Sequence, residues 1–253
     1  MREIAPEQRH VLNALFANFK PFPALAEMVL EGLPGKAIAD DSDPPRCAGA
    51  VTGHYAAFAG DASAPGAAEL VGSISHLDWG ALIGDSEWMA LGRQILSSAR
   101  SSKRNAFSSD DLDVGRLMAL RDGVDAGAEI KAVDVELADR MVDEVSPYCL
   151  GVFDSSEEFL QFGFGYCALI DGRVAAAATS AFASSKSVEI QITTAPEFRN
   201  RGLATSVSAA VILHSLDAGL DPQWSTSNPV SYRLAERLGY VPAEPYEWLS
   251  FGG

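Results

Sequence analysis

The segment VEIQITTAPEFRNRGLAT, residues 188–205, decides the fold. Its first seven residues alternate apolar and polar side chains, which predicts a β-strand with one buried face. After a short loop, an Ala- and Val-rich segment that ends within residues 214–219 predicts an α-helix. A strand that leads through such a loop into a helix creates an anion site, because the first amides of the helix have no acceptor within it and the helix dipole is positive there.

The residue types of the loop favour a phosphate group at this site. Gly202 lets phosphate oxygens approach the backbone, and the small Ala204 keeps the loop compact. Arg199 and Arg201 add positive charge to the same loop. An ordinary strand–turn–helix connection with a surface arginine pair would use the same residue types, so both interpretations stay open on these residues alone.

The elements around this segment predict a mixed α/β sheet. Asp171-Gly172 supplies the positive φ of a type I′ turn and predicts a hairpin between Tyr166–Ile170 and Val174–Ala183. Because a helical crossover joins parallel strands, Gln223–Ser227 is expected to run parallel to the strand that opens the segment. Further helices are expected at Asp134–Val145 and Ser155–Phe162.

The N-terminal half is expected to form a separate, smaller domain. The turn-forming sequence DGVDAG at residues 122–127 predicts a linker, so we expect an α+β domain at residues 1–125 and an α/β domain at residues 126–253. Within the first domain, periodicity predicts a strand at Glu69–Ser75, and a high content of serine and charge predicts a mobile segment at Ser97–Asp113.

Composition and charge exclude several classes of protein. The 253 residues are 47% hydrophobic and 21% charged, which argues against disorder and coiled coil. With 19 Lys+Arg and 34 Asp+Glu the net charge is −15, so we expect no nucleic-acid partner and favour a cationic or neutral substrate. No apolar run is long enough to span a membrane and no signal peptide is recognisable, so we expect no membrane partner and a cytoplasmic location.

Neither a metal site nor a disulfide framework is expected. Cys47, Cys149 and Cys167 are far apart, and the four histidines lack the spacing of metal ligands. The run GFGYCA, residues 163–168, formally matches the dinucleotide pattern G-x-G-x-x-A. It precedes a predicted strand instead of opening a helix, so we reject a dinucleotide site there.

The order of these motifs resembles that of the GCN5-related N-acetyltransferases, the GNAT family. Within the family, the motifs look most like those of the zwittermicin-resistance-type acetyltransferases. The resemblance implies a GNAT mixed-sheet acyltransferase domain at residues 126–253, preceded by the smaller N-terminal α+β domain. It rests on FGFGYC at residues 162–167, on RGLAT at residues 201–205, and on Trp224, Asn228 and Ser231 with LAERLGY at residues 234–240.

The family pattern implies acetyl-CoA as co-substrate and indicates the residues that bind it. Backbone groups of Ile192, Thr193 and Thr194 would contact the pantetheine arm, since a strand edge exposed where two strands splay can bind an extended chain. Asn228 would reach the cofactor with its side-chain amide, or would cap the next helix ahead of Pro229, and the two roles are compatible. The residues implied for the pyrophosphate are Arg199, Asn200, Arg201, Gly202, Leu203, Ala204 and Thr205.

The implied reaction needs a base for the attacking amine and a proton donor for the leaving thiolate. We interpret Glu189 as the base, because it is the only carboxylate on the strand before the loop and burial would raise its pKa toward neutrality. A solvated carboxylate on the strand surface is the alternative. Where many family members carry a tyrosine acid this chain has Ala235, and neither Tyr232 nor Tyr240 shares that helical position.

The resemblance implies an N-acetyltransferase that moves an acetyl group directly from acetyl-CoA to an amine of a small molecule. Residues 1–125 are expected to shape the acceptor site or an interface, but they contain no motif that identifies the acceptor or the oligomeric state. Two rival functions stay open. One is a catalytically silent acetyl-CoA-binding sensor or scaffold, favoured by the missing tyrosine, and the other is a transferase that uses a longer acyl group.

Overall fold

The computed structural model of the protein describes residues 1–124 and 127–252. The chain divides into two compact units: unit 1 is Met1–Arg104 with Pro245–Gly253, and unit 2 is Asn105–Glu244. The boundary expected between residues 125 and 126 lies outside the described residues. The chain instead passes from one unit to the other at residues 104–105 and 244–245.

Strands and helices are numbered here in chain order. The strands are β1 Arg2–Ile4, β2 Lys36–Ala39, β3 Cys47–Thr52, β4 Tyr55–Gly60, β5 Trp79–Ile83, β6 Arg100–Ser108, β7 Ala128–Ala132, β8 Gly165–Ile170, β9 Arg173–Ala183, β10 Ser187–Thr194, β11 Asp221–Thr226, β12 Val241–Pro242 and β13 Tyr246–Gly252. The helices are α1 Asn13–Phe16, α2 Pro23–Leu30, α3 Ala67–Gly72, α4 Ser86–Ile95, α5 Val114–Asp122, α6 Val135–Glu144, α7 Ser156–Phe162, α8 Leu203–Asp217 and α9 Pro229–Leu238. Short 3₁₀ segments lie at Pro6–Leu12, Pro147–Leu150 and Pro196–Phe198.

Unit 1 contains strands in the order β1-β2-β3-β4-β5-β13, followed by residues 100–104 of β6. Its strands β4 and β5 run parallel, and β13 pairs antiparallel with both β5 and β6. Helices α3 and α4 close one core of this unit, which contains Phe58, Leu70, Trp88 and Leu249. The last strand of the chain is therefore part of the N-terminal unit.

Two predictions for the N-terminal half are wrong. Glu69–Ser75 begins inside α3, because Leu70 and Ile74, one helical turn apart, face the same core. Ser97–Asp113 contains the strand β6, which pairs with β13 and β11. Pairing with strands that are distant in sequence outweighs the polar composition that suggested a mobile segment.

Unit 2 contains a mixed sheet in the order β7-β8-β9-β10-β11, followed by residues 105–108 of β6 and by β12, so the α/β class is confirmed. Its strands β10 and β11 run parallel, as the helical crossover predicts. The predicted hairpin joins β8 and β9, with positive φ at Asp171 (49°) and Gly172 (77°). The strand and hairpin that the local sequence predicts therefore form the centre of this unit.

Helices α5 and α8 explain why the chain does not divide at residues 125–126. Helix α5 belongs to the first 125 residues, yet it packs on α8, and the Ser206 hydroxyl donates to the Leu120 carbonyl at 3.0 Å. Strand β13 lies after residue 126, yet it pairs with β5 of unit 1. Packing between distant segments, not the turn chemistry of residues 122–127, sets the limits of the units.

The two faces of the unit 2 sheet carry different elements. On one face, Val188 and Ile190 of β10 share a core with Leu203 and Val207 of α8. The opposite face carries the 3₁₀ segment Pro147–Leu150, which packs on β9 and β10. Side chains that alternate along β10 therefore face either the α8 core or this 3₁₀ segment.

Two side-chain hydrogen bonds fasten the 3₁₀ segment to its face of the sheet. Gln191 Nε2 donates to the Tyr148 carbonyl at 2.8 Å, and Thr179 Oγ1 donates to the Cys149 carbonyl at 2.8 Å. The segment therefore has a fixed position beside β10, although the Tyr148 side chain itself is exposed.

A β-bulge on β9 receives the end of this segment. The register of β9 with β10 skips Ala181, and the Val152 amide donates to the Ala181 carbonyl at 3.3 Å. Gly151 lies against the bulge with φ +66°, and a Cβ atom there would stand 2.5 Å from Ala181 backbone atoms. Only glycine fits this close approach.

Two properties of the described residues bear on function. Among residues 1–124 and 127–252, none of the helices is long and apolar enough to cross a membrane. The same residues contain no group of three or more His, Cys, Asp or Glu side chains that could hold a metal ion. Cys47, Cys149 and Cys167 are buried free thiols.

We predict that Gly151→Ala destabilises the protein more than Gly172→Ala. Both glycines have positive φ, but a Cβ at Gly172 would meet nothing within 4 Å. Strain alone should cost about 1 kcal/mol at Gly172, whereas contact with the bulge should add about 1–3 kcal/mol at Gly151. Urea unfolding of both variants measures the difference, and equal losses would contradict the close packing of Gly151 on β9.

Candidate active site

The loop between β10 and α8 has the geometry of an anion site. Asn200 and Gly202 both adopt left-handed conformations, with φ of 63° and 79°, and α8 begins immediately after Gly202. Asparagine and glycine are the residues that tolerate this region best. A Cβ atom at Gly202 would meet nothing within 4 Å, so the start of the helix is open to a ligand. The amides of its first turn carry the positive end of the helix dipole.

The arginines of the loop differ in how they are held. Arg199 Nε donates to the Thr194 carbonyl at 3.3 Å, which folds this side chain back on the end of β10. Arg201 is exposed beside Gly202. A third arginine, Arg173, forms an ion pair with Glu197 at 2.8 Å. The loop therefore carries two arginines next to the start of α8 in a chain whose net charge is −15, and Arg201 is the one that is exposed there.

Strands β10 and β11 separate before β10 ends. Among the described residues, their parallel pairing extends from Ser187–Asp221 to Glu189–Gln223 and no further. Beyond that point β10 continues along β9 as far as Thr194, whereas β11 pairs with β6. The result is a cleft in the sheet that widens toward the loop and α8.

The hydrogen-bond pattern of β10 shows which backbone groups face this cleft. The Ala195 amide donates to the Ala175 carbonyl at 2.9 Å, and pairing alternates along an antiparallel ladder. Thr193 consequently directs its backbone groups toward β9, whereas Ile192 and Thr194 direct theirs toward the cleft. The bond from Arg199 to the Thr194 carbonyl agrees with this orientation. Of the three residues expected to contact pantetheine, Ile192 and Thr194 thus direct their backbone groups into the cleft, whereas Thr193 does not.

Glu189 lies where the two strands begin to separate. Since Val188 and Ile190 face the α8 core, Glu189 points to the opposite face. Its Oε1 accepts hydrogen bonds from the Ser225 amide at 3.2 Å and from the Ser225 hydroxyl at 2.9 Å. The residue is 5% exposed, so the alternative of a solvated surface carboxylate is wrong. The carboxylate thus accepts from the Ser225 amide of β11, which would have bonded to β10 if the two strands had remained paired.

Tyr240 and Tyr232 both pack against the core of unit 2. Tyr240 is buried, and its hydroxyl donates to the Pro222 carbonyl at 2.7 Å. Burial, and then the negative charges of Glu189 and Asp221, raise the pKa of Tyr240 well above its ordinary value. Tyr232 packs edge-on against a phenylalanine of β6. Ala235, at the position of the family tyrosine, is fully buried in the core.

Asn228 caps helix α9. Its Oδ1 accepts from the Val230 amide at 2.8 Å, and Pro229 occupies the first helical position. The backbone amide of Asn228 donates a hydrogen bond to Thr226 Oγ1 at 2.9 Å. The capping role expected from the sequence is confirmed, and the role in cofactor binding stays a prediction.

The motif FGFGYC has a structural explanation. A Cβ atom at Gly163 would lie 2.6 Å from Ser180 Oγ, so the glycine permits close packing of the chain on β9. Phe164 stacks on His214 with ring centroids 4.2 Å apart, and Tyr166 Oη lies 3.2 Å from His214 Nδ1. The motif therefore packs β8 against α8. It leads into a strand and not into a helix, and a dinucleotide-binding motif would have to begin a helix.

Ser225 is the site residue that the sequence analysis missed. Nothing in its local sequence distinguishes it from other serines on strands. Its position follows from the parallel register of β10 and β11, which pairs Glu189 with Gln223 and so brings residue 225 to the same face. An explicit alignment of the two strands is the signal that could have found it.

A model of the GNAT acetyltransferase family matches residues 13–249. The chain belongs to the GNAT acetyltransferase family. The match covers nearly all of both units, so family membership is not confined to residues 126–253. The expectation of an acetyltransferase is confirmed at the level of the family.

Known relatives agree with this membership. An uncharacterized N-acetyltransferase of Bacillus subtilis (strain 168), YdfB, is 26% identical over 162 residues, which are 63% of this chain and 60% of that protein. The chain thus spans about three fifths of the length of this curated relative. The crystal structure of a GCN5-related N-acetyltransferase-like protein from Streptococcus suis 89/1591 has a TM-score of 0.84 and 29% identity, and covers 97% of this chain and 98% of that chain.

More distant structures share the fold. A tandem GNAT protein from the clavulanic acid biosynthesis pathway has a TM-score of 0.60 at 13% identity, with 98% of this GNAT chain and 96% of that chain covered. A GNAT-family protein from Novosphingobium aromaticivorans DSM 12444 has a TM-score of 0.56 at 22% identity, with coverages of 85% and 90%. Both units of this GNAT protein therefore have counterparts of known structure.

We predict that Gly202→Glu weakens the binding of CoA by about 100-fold or more, or about 2.7 kcal/mol. The substitution would place a side chain and a negative charge over the first amides of α8. Gly219→Glu is the matched control, because Gly219 follows the other end of α8 with φ +73° and equal open space. Calorimetric titration with CoA compares the two folded variants. Unchanged affinity in Gly202→Glu would show that CoA does not bind this loop.

Proposed function

We propose that this GNAT protein transfers an acetyl group from acetyl-CoA directly to an amine of a small molecule. The observation that carries the proposal is that one strand, β10, leads along an open cleft into a helix start with exposed amides. An extended thiol cofactor with a diphosphate group fits such a continuous site.

The proposed cofactor position follows from this arrangement. The pyrophosphate would bind residues 200–205 with Arg199 beside it, and pantetheine would pair with the edge at Ile192 and Thr194. A strand rises about 3.3 Å per residue, so Glu189 lies about 17 Å from Thr194 along β10. An extended pantetheine arm would bring the thioester to the narrow end of the cleft, beside Glu189. Asn228 would approach the same arm from α9.

Glu189 would act as the base for the attacking amine. An amine is mostly protonated in neutral water and reacts only as the free base. The carboxylate is buried at the narrow end of the cleft, on the face that carries the 3₁₀ segment. An acceptor that enters from this face would meet both the thioester and the carboxylate.

We expect Glu189→Gln to lower kcat/KM by about 10²- to 10⁴-fold, as is typical when a positioned base is lost. Glutamine preserves the shape and can still accept the hydrogen bonds of Ser225. Glu129→Gln, an exposed carboxylate on β7 that pairs with Lys131, should change the rate less than about twofold. kcat/KM is measured against pH for each form. A Glu189→Gln profile that coincides with that of the parent protein would remove Glu189 from the mechanism.

Direct transfer, without an acetylated enzyme, agrees with the state of the cysteines. Burial raises the pKa of Cys149 to about 12 and that of Cys167 to about 11. The pKa of Cys47 is about 11, raised by burial and by the nearby charge of Asp40. All three thiols are therefore protonated at neutral pH, and the thiolate is the form that attacks a thioester.

We predict that the folded protein acquires no acetyl group when it is incubated with acetyl-CoA alone at pH 7–8. The thiols would form thiolates only near pH 11–12, where their pKa values lie. Intact-mass spectrometry before and after addition of an amine tests this. A stable acetyl adduct on a cysteine that disappears when the amine is added would establish a covalent intermediate instead.

A catalytically silent sensor or scaffold that binds acetyl-CoA is a second candidate. The observation that favours it is Ala235, which is buried in the core where the family tyrosine would stand. Thiol release from acetyl-CoA with a panel of primary amines separates the two functions. CoA binding without thiol release would favour the sensor.

The proposal also covers the chemical class of the acceptor and the acyl group of the donor. A cationic or neutral amine agrees with the net charge of −15, and no nucleic acid is expected as a partner. We place the chain with the zwittermicin-resistance-type acetyltransferases on its motifs, and we assign acceptor binding to the N-terminal residues. Comparison of acetyl-CoA with longer acyl-CoA donors tests the acyl group.

A further inference from the structure

The proposed reaction needs a proton donor for the thiolate, and the family tyrosine is absent. We propose that the hydroxyl group of Ser225 carries the proton from Glu189 to the sulfur atom of the leaving thiolate. This inference rests on the proposed function. It assigns to one buried carboxyl group both the removal of the proton from the amine and its return to the leaving group.

The geometry of the Glu189–Ser225 pair supports the assignment. Ser225 Oγ lies 2.9 Å from Glu189 Oε1, which is the distance of a strong hydrogen bond. The pair stands at the last parallel contact of β10 with β11, where the cleft begins. Both side chains lie on the face opposite α8, because Glu189 is in register with Gln223 and Ser225 follows two residues later.

Accessibility distinguishes the two members of the pair. Glu189 is 5% exposed, whereas Ser225 is only partly buried. Ser225 is thus the more accessible member of the hydrogen-bonded pair. A hydroxyl group can donate one hydrogen bond while it accepts another, which is the property that a proton relay requires.

Two other hydroxyl groups of this region already bond to backbone groups, and a third belongs to a packed aromatic ring. The Tyr240 proton is donated to the Pro222 carbonyl inside the core. Thr226 Oγ1 accepts from the amide of Asn228 and supports the start of α9. Tyr232 packs against the aromatic side chain of Phe107. The Ser225 hydroxyl, in contrast, donates to the Glu189 carboxylate at the narrow end of the cleft.

The proton transfers balance without any further reactant. The amine attacks the thioester carbonyl, the C–N bond forms, and Glu189 takes the proton of the resulting ammonium group. As the C–S bond breaks, its electron pair stays on sulfur. The Ser225 hydroxyl proton passes to sulfur while the Glu189 carboxyl proton passes to Ser225 Oγ. The products are the amide and CoA with a free thiol, and both side chains return to their initial protonation states.

Proton affinities favour this direction of transfer. A thiolate is a stronger base than a carboxylate, so the overall transfer from a carboxyl group to the sulfur atom runs downhill. Serine alone is a poor acid and gives up its proton only if it receives another. The bond between Ser225 and Glu189 meets that condition.

The test uses three variants of the full-length chain. Ser225→Ala removes the relay, and Ser225→Thr keeps a hydroxyl group at the same position. Ser109→Ala is the matched control, because the Ser109 hydroxyl also bonds to a carboxylate, that of Asp221, at the opposite end of β11. Thermal unfolding first verifies that the variants are folded.

We expect Ser225→Ala to lower kcat by about 10²-fold or more with acetyl-CoA, while the Kd for CoA changes less than about twofold. Ser225→Thr should retain kcat within about tenfold, and Ser109→Ala within about twofold. A purely structural role of Ser225 would instead weaken CoA binding along with the rate, and the hydroxyl of threonine would not rescue it.

The nature of the leaving group gives the decisive readout. Acetyl-selenoCoA has nearly the same shape as acetyl-CoA, but a selenolate is a much weaker base than a thiolate and leaves without a proton. The loss caused by Ser225→Ala should therefore shrink to less than about threefold with the selenium donor. An equal loss with both donors would overturn the relay.

The outcomes also separate this inference from the function on which it rests. Failure of the unmodified protein to release thiol with any amine overturns the proposed function and the relay together. An active parent protein with an equally active Ser225→Ala variant overturns the relay alone. Loss of CoA affinity in Ser225→Ala would make Ser225 a residue that shapes the cleft, which also overturns the relay.

Discussion

The limited pairing of β10 with β11 is the constraint on which the rest of the site depends. The two strands share a parallel register only up to Glu189 and Gln223 within the described residues, and afterwards each follows a different neighbour. A buried amide without a partner costs about 1–3 kcal/mol, so such a separation needs a substitute acceptor. The Glu189 carboxylate supplies it to Ser225. The Ser225 amide is therefore satisfied at the point where the two strands separate.

The same strand also sets the electrostatics of the site. Its carboxyl end leads into the arginine-containing loop and the positive end of the α8 dipole, whereas its middle holds a buried carboxylate. Opposite charges are thus fixed at the two ends of one cleft by a single rigid element. A ligand with a phosphate group at one end and a reactive carbonyl at the other has one favourable orientation in it.

Local chemistry made part of this structure predictable. The Asp171-Gly172 turn, the strand from residue 188 and the cap at Asn228 each depend on neighbouring residues, and all three form as predicted. The α3 helix and the β6 strand were misread because their conformation depends on long-range packing and pairing. The hydrogen bond between Glu189 and Ser225 was not predicted from the sequence for the same reason, because the sequence of a single strand does not determine its register with a neighbouring strand.

Strand β13 belongs to unit 1 although it follows unit 2 in the sequence, and this order matters during synthesis on the ribosome. Unit 2 is one continuous segment, but unit 1 lacks a central strand until residues 246–252 emerge. At ~5–20 residues per second, translation of unit 2 separates the two parts of unit 1 by on the order of ten seconds. During that interval β5 offers an unpaired edge that other nascent chains could join. The sheet of unit 1 can therefore be completed only after β13 has been translated, and removal of β13 would leave a gap between β5 and β6.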